Sequence, residues 1–185
     1  QATASDVCGS TFTLTFNDVT TNGQCSGAYS VTRTWTATDS CGNTSTASQT
    51  INVIDNTPPT ITTEASNVVI QCDSQGNQNA INAWLNSNGG AVATDSCSNV
   101  VWSNNFSSIG NDCSSSVTVI FTATDACGNT ATTSATLSIN DTTAPTFNGV
   151  LPSNITVECT QVPNAAVLTA NDNCGSATVS LVETT

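Results

Sequence analysis

One stretch of the chain occurs twice, and it limits what the chain can fold into. Ala37-Thr38-Asp39-Ser40-Cys41-Gly42-Asn43-Thr44 runs on to Asp55-Asn56-Thr57-Pro58-Pro59-Thr60-Ile61. Ala123-Thr124-Asp125-Ala126-Cys127-Gly128-Asn129-Thr130 runs on to Asp141-Thr142-Thr143-Ala144-Pro145-Thr146-Phe147. The copies align without a gap at an offset of 86 (123 − 37), with 14 of 25 positions identical. Such self-similarity marks a tandem array of one structural unit. Within 185 residues, that period means small modules with thin cores, which commonly need staples.

The staples are at hand. Nine cysteines are present, and histidine is absent. Without an imidazole, Cys/His zinc sites and His-based triads are excluded. Cysteines at regular spacing in small repeats predict disulfides made outside the cytoplasm. Five of them close an Ala-x-Asp-x-Cys element, at Cys8, Cys41, Cys97, Cys127 and Cys174. Arg33 is the only basic residue against thirteen acids, a formal charge of −12. That surface repels nucleic acid and anionic membranes and suits divalent cations. No stretch has the length of a membrane span and no signal peptide is visible, so a mature or internal fragment is expected.

Apolar alternation predicts strands at 11–16, 28–38, 44–54, 67–71, 91–94, 99–106, 117–124 and 130–139. Asn17–Gly27 reads as turn. Ala80, Ile81, Trp84 and Leu85 fall at helical spacing, and Gly89-Gly90 can end a helix over 77–87. Trp35, Trp84, Trp102 and Phe121 are expected in cores. Short strands with frequent turns predict an all-β fold: tandem immunoglobulin-like β-sandwich repeats, with one short helix inserted in the middle module. The proline linkers divide the chain into 1–57, the C-terminal part of a first module, 58–143, a complete second module, and 144–185, the N-terminal part of a third. Strands are expected in the third at Ile155–Val157, Val167-Leu168 and Val179–Leu181.

The runs "TRTWTATDSCGNTSTASQTINVIDNTPPTI", "AWLNSNGGAVATDSCSNVVWSNNF" and "VTVIFTATDACGNTATTSATLSINDTTAPTF" resemble hyalin-repeat-like (HYR-like) immunoglobulin-type modules. Such modules fill giant cell-surface adhesins of gliding bacteria (Bacteroidota), the SprB type among them. The resemblance implies a secreted or cell-surface location, export by the type IX system, and roles in adhesion, gliding motility or filament formation. The cysteine that many related modules carry after "GNTAT" is missing here; Ala47 and Thr133 occupy that region.

Strand direction in an immunoglobulin-type sandwich restricts cysteine pairing. The loop after the second strand and the loop between the last two share one end, which predicts Cys97–Cys127. Cys72 and Cys113 fall at the other end and are predicted to pair, and repetition adds Cys8–Cys41. Cys113–Cys127 is excluded, because ten residues of strand span roughly 33 Å while a disulfide needs Cα atoms about 4.4–6.8 Å apart. Cys72–Cys97 stays open, since the inserted helix could carry the chain back. Cys25, Cys159 and Cys174 are left without partners.

Asp6, Asp39, Asp55, Asp95, Asp125, Asp141 and Asp172 sit at equivalent repeat positions. Asp55, Asp95 and Asp125 are expected to converge on one module junction, and Asp141 with Asp172 on the next, as ligands for calcium, which takes six to eight oxygens. The competing expectation is that these aspartates cap turns. Asp141-Thr142-Thr143 matches a short bacterial O-glycosylation motif, which makes Thr142 a candidate. Glu64, Glu158 and Glu183 are isolated, so no carboxylate pair for glycoside hydrolysis stands out.

The sequence therefore reads as a non-enzymatic, disulfide-stapled stalk or fibre. Its expected partners are neighbouring repeats, other copies in a fibre and surface glycans; nucleic acid and membrane insertion are not expected. The alternatives are a carbohydrate- or surface-binding module, or a spacer within a secreted enzyme.

Overall fold

The computed structural model describes residues 2–7, 11–73, 76–110 and 114–182. Strands dominate and the chain is all-β apart from one short helix, as expected of immunoglobulin-like sandwiches.

Three long strands come first: β1 (Phe12–Asn22), β2 (Tyr29–Asp39) and β3 (Thr44–Val53), an antiparallel meander in that order. Phe16 lies opposite Trp35, Leu14 opposite Ala37, and Trp35 opposite Ala47. Because side chains alternate along a strand, these residues share one face of the sheet. On the same face Arg33 forks onto Asp18 at 2.7 and 2.6 Å, with its guanidinium 4.3 Å from the Phe16 ring centroid. β1 runs through Asn17–Asn22, where a turn is expected. Val19 and Thr20 find β2 partners in Thr32 and Val31, and cross-strand pairing outweighs the local turn preference.

The second repeat supplies β4 (Thr60–Thr63), β5 (Val68–Gln71), α1 (Gln78–Asn86), β6 (Val92–Thr94), β7 (Val101–Asn104), β8 (Ser114–Thr124) and β9 (Thr130–Asn140). β4 pairs with β6, and the other four strands form a sheet in the order β5-β9-β8-β7. β5 joins β9 in parallel, with Val68 opposite Leu137 and Ile70 opposite Ile139. Alternate residues of β8 and β9 are buried: Val119, Phe121 and Ala123 on one, Thr133, Ala135, Leu137 and Ile139 on the other. Thr133 earns its buried place by accepting the Ala65 N–H at 3.1 Å.

α1 lies where its spacing predicts. Ile81 is buried, and Trp84 meets Phe121 edge-on at 5.2 Å while its indole N–H donates to the Ser66 carbonyl at 3.1 Å. Gly89 ends this region at φ +65°, where an added Cβ would stand 3.1 Å from the Phe121 ring and 3.2 Å from Ala65. Phe121 is the buried core aromatic expected; Trp35 and Trp102 are half-buried.

Among the described residues of the third repeat, β10 (Thr146–Phe147) and β11 (Ala170–Asn171) are the strands that pair. The expected strands at Ile155–Val157, Val167-Leu168 and Val179–Leu181 are not formed. A strand needs a hydrogen-bonded neighbour, and these segments have none.

By compactness the chain divides into two units. One comprises Gln1–Thr62, Val92–Ser103 and Thr122–Thr132; the other comprises Thr63–Ala91, Asn104–Phe121 and Thr133–Thr185. The sequence repeats 1–57, 58–143 and 144–185 are a different division, and each unit takes in parts of two of them.

Candidate functional site

The Ala-x-Asp-x-Cys element has one structure wherever it is described. The aspartate Oδ1 accepts the backbone N–H of the cysteine two residues on: Asp39 from Cys41 at 2.8 Å, Asp95 from Cys97 at 2.9 Å, Asp125 from Cys127 at 2.8 Å, and Asp172 from Cys174 at 2.8 Å. This is an Asx turn, which fixes the cysteine backbone and so the direction of its thiol. At Asp39 and Asp125 the turn is reinforced by the asparagine four residues on, Asn43 and Asn129, through both its backbone and side-chain N–H groups. The Asn43 side chain, then its backbone N–H, hold the Asp39 carboxyl below its ordinary pKa. At Asp125 burial pushes the pKa up, but the hydrogen bonds from Asn129, Cys127 and Gly128 outweigh it and the net shift is down.

Two of these turns are bolted to other repeats. Cys25 bonds Cys127 with Cα atoms 5.0 Å apart, and Cys72 bonds Cys174 at 5.7 Å; both bridges span 102 residues. This corrects the predicted Cys97–Cys127 and Cys72–Cys113 pairs. The expectation treated each sandwich as closing its own ends, whereas each observed bridge runs from one repeat to the next. Cys25 and Cys174, expected to be without partners, are bonded; Cys41, Cys97 and Cys159 are exposed free thiols. Cys8 and Cys113 lie outside the described residues, so the Cys8 end of the predicted Cys8–Cys41 bridge does too.

The signal that could have found the pairing is numerical: 127 − 25 and 174 − 72 are the same number, longer than the repeat by 16. The order 25, 72, 127, 174 also interleaves the bridges, so that each has one end inside the loop closed by the other.

Of the expected calcium ligands, Asp55 and Asp95 come together. Their third companion is Cys97, with the three donor atoms within 4.8 Å of one another. Asp55 is 7% exposed; its Oδ1 accepts the Thr57 N–H at 3.1 Å, and its buried Oδ2 has no hydrogen-bond partner. Asp125 is not in this cluster, and both its carboxylate oxygens are occupied by its own turn. Asp141 and Asp172 line one open cleft with Thr143 and Cys174. Asp141 Oδ1 accepts from Gln71 Nε2 at 3.1 Å and from the Thr143 N–H at 2.9 Å. Two carboxylates and a thiol are fewer oxygens than calcium takes, and sulfur is foreign to it. Thr142 is exposed, and its hydroxyl donates to Gln71 Oε1 at 2.7 Å.

Residues 1–53 match the family model described as an HYR-like domain with 4 cysteines. Residues 58–143 hold four cysteines, Cys72, Cys97, Cys113 and Cys127. No curated protein matches the chain. Among the described residues no helix is long and apolar enough to cross a membrane.

Proposed function

We propose that this chain is an extracellular load-bearing segment, a stalk or fibre of a large bacterial surface protein. The observation that carries the reading is the pair of interleaved bridges, each tying one repeat to the next across 102 residues. Pulling on the chain ends then puts both sulfur–sulfur bonds in the load path between Cys25 and Cys174. The HYR-like match over residues 1–53 supports an adhesion-type, non-enzymatic repeat on a cell surface or in a secreted protein. Gliding motility, assembly into filaments and type IX export belong to the same reading. Surface glycans are its proposed ligands and Thr142 its proposed O-glycosylation site. Calcium at Asp55 and Asp95 would stiffen the array further; their two carboxylates support it and the Cys97 thiol speaks against it. A chelator that leaves the melting temperature unchanged removes calcium from the account.

Single-molecule stretching tests the reading. With the bridges intact, 102 residues stay out of the extended path, so reduction lengthens the fully stretched chain by roughly 350 Å at about 3.4 Å per residue. Equal contour lengths before and after reduction would refute a load-bearing role for the bridges.

A further inference from the structure

The end of β5 is zipped to the end of β9. The two strands run parallel with Gln71 opposite Asn140, and the next N–H along, that of Cys72, donates to the Asn140 carbonyl at 2.9 Å. This pairing sets Gln71 beside Asp141, Thr142 and Thr143, the residues that follow β9.

Three side chains hold the Gln71 carboxamide. Its Nε2 donates to Asp141 Oδ1 at 3.1 Å and to Thr143 Oγ1 at 3.3 Å. Thr142 Oγ1 donates to its Oε1 at 2.7 Å. A carboxylate only accepts, so the Asp141 contact fixes which end of the amide is nitrogen and turns the carbonyl toward Thr142. Adding a carbonyl bond of about 1.2 Å leaves the Thr142 oxygen no more than about 3.9 Å from Gln71 Cδ. Asp141 is itself held in place, because its Oδ1 also accepts the Thr143 N–H at 2.9 Å. A hydroxyl against an amide carbonyl, with a carboxylate against the amide nitrogen, is the arrangement that acyl transfer needs.

The turn alone does not require that hydroxyl. At the offset of 86, Asp55 corresponds to Asp141 and Thr57 to Thr143, and the Thr57 N–H sits on Asp55 Oδ1 at 3.1 Å in the same way. Asn56 stands where Thr142 does, so the same turn forms there without a hydroxyl at that position.

We infer that Gln71 and Thr142 join in an intramolecular ester, a covalent clamp between β5 and the segment after β9. Thr142 Oγ1 bonds Gln71 Cδ, and its proton passes through solvent to the Asp141 carboxylate, which delivers it to Nε2. The C–N bond then breaks and ammonia leaves. One O–H and one C–N bond are lost, one C–O and one N–H bond are gained, and no oxidant or further reactant is needed. Gln71 and Thr142 are exposed, so water is present to relay the proton and ammonia escapes freely. Holding the hydroxyl on the carbonyl replaces a bimolecular encounter with a unimolecular step. The ester goes beyond the stalk reading, because it is a bond that reduction does not open. It also competes with glycosylation for the same oxygen.

The test incubates the full chain at neutral pH, digests it with pepsin at acid pH, where esters persist, and reads the reduced peptides by mass spectrometry. The expected product joins the Gln71 peptide to the Thr142 peptide with the mass of one ammonia lost. Dilute alkali is expected to split it and leave glutamate at position 71. Thr142→Val is expected to abolish the link, Thr142→Ser to keep it, and Asp141→Asn to slow its appearance. A Cys72–Cys174 peptide in an unreduced digest of each variant shows that the corner still folds. Reduction then releases the full gain in stretched length only where the ester is absent, as in Thr142→Val. Recovery of Gln71 and Thr142 only in separate peptides, a sugar on Thr142, or a link that survives in Thr142→Val overturns the inference. If the Cys25–Cys127 and Cys72–Cys174 peptides accompany such a result, the stalk reading stands and only the ester is wrong.

Discussion

At the scale of the residue, the aspartate of Ala-x-Asp-x-Cys is a positioning group for sulfur. At Asp39 and Asp125 the carboxylate is held in the charged form by the turn it organises, and this ties stability to pH. The Asp39 and Asp125 pKa values are lowered from an ordinary 3.8. Their contribution is therefore complete above the unfolded value and is lost as pH falls through the lower folded one. Asp125→Asn keeps an oxygen for the Cys127 N–H but cannot ionise. It is expected to melt lower than the parent at neutral pH and to lose less on acidification below pH 3.8, as followed by circular dichroism. An acid response identical to the parent's would detach Asp125 from the titration. The turn role was open to sequence reading, because aspartate two residues before a fixed position is what an Asx turn requires. What the sequence concealed was that Asp125 spends both oxygens on its own turn, so a convergence inferred from repeat position alone could not hold for it.

At the scale of the element, periodicity carried most of the information. The helix was legible because its apolar residues recur at helical spacing, and the face they mark is the one packed on Phe121. The helix ends at Asn86, and the turn after it holds Gly89 at φ +65°, where an added Cβ would be strained and would stand 3.1 Å from Phe121 and 3.2 Å from Ala65. Gly89→Ala is expected to cost more than about 1 kcal/mol, and Phe121→Ala about 3–5 kcal/mol, both measurable by denaturant unfolding. The end of β1 and the missing strands of the third repeat were not legible. Each depends on whether a neighbouring strand is present to pair, and a local window does not contain that information.

At the scale of the whole molecule, the repeat was plain and the wiring was not. A period of 86 residues says that modules recur, but it is silent on whether a cysteine reaches within its module or beyond it. In the chain-entropy account, a loop of about 100 residues closed by one disulfide gains about 4.7 kcal/mol, so reduction is expected to lower the melting temperature by several degrees or more. Reducing either interleaved bridge alone leaves the other to hold a loop of the same length. The stepwise variants Cys25→Ser and Cys72→Ser are thus expected to destabilise by similar amounts, each less than full reduction. The most direct measurement is a disulfide map of the unreduced chain, digested at acid pH where thiols do not exchange. The account predicts peptides joining Cys25 to Cys127 and Cys72 to Cys174; peptides joining Cys97 to Cys127, or Cys72 to Cys113, would contradict it.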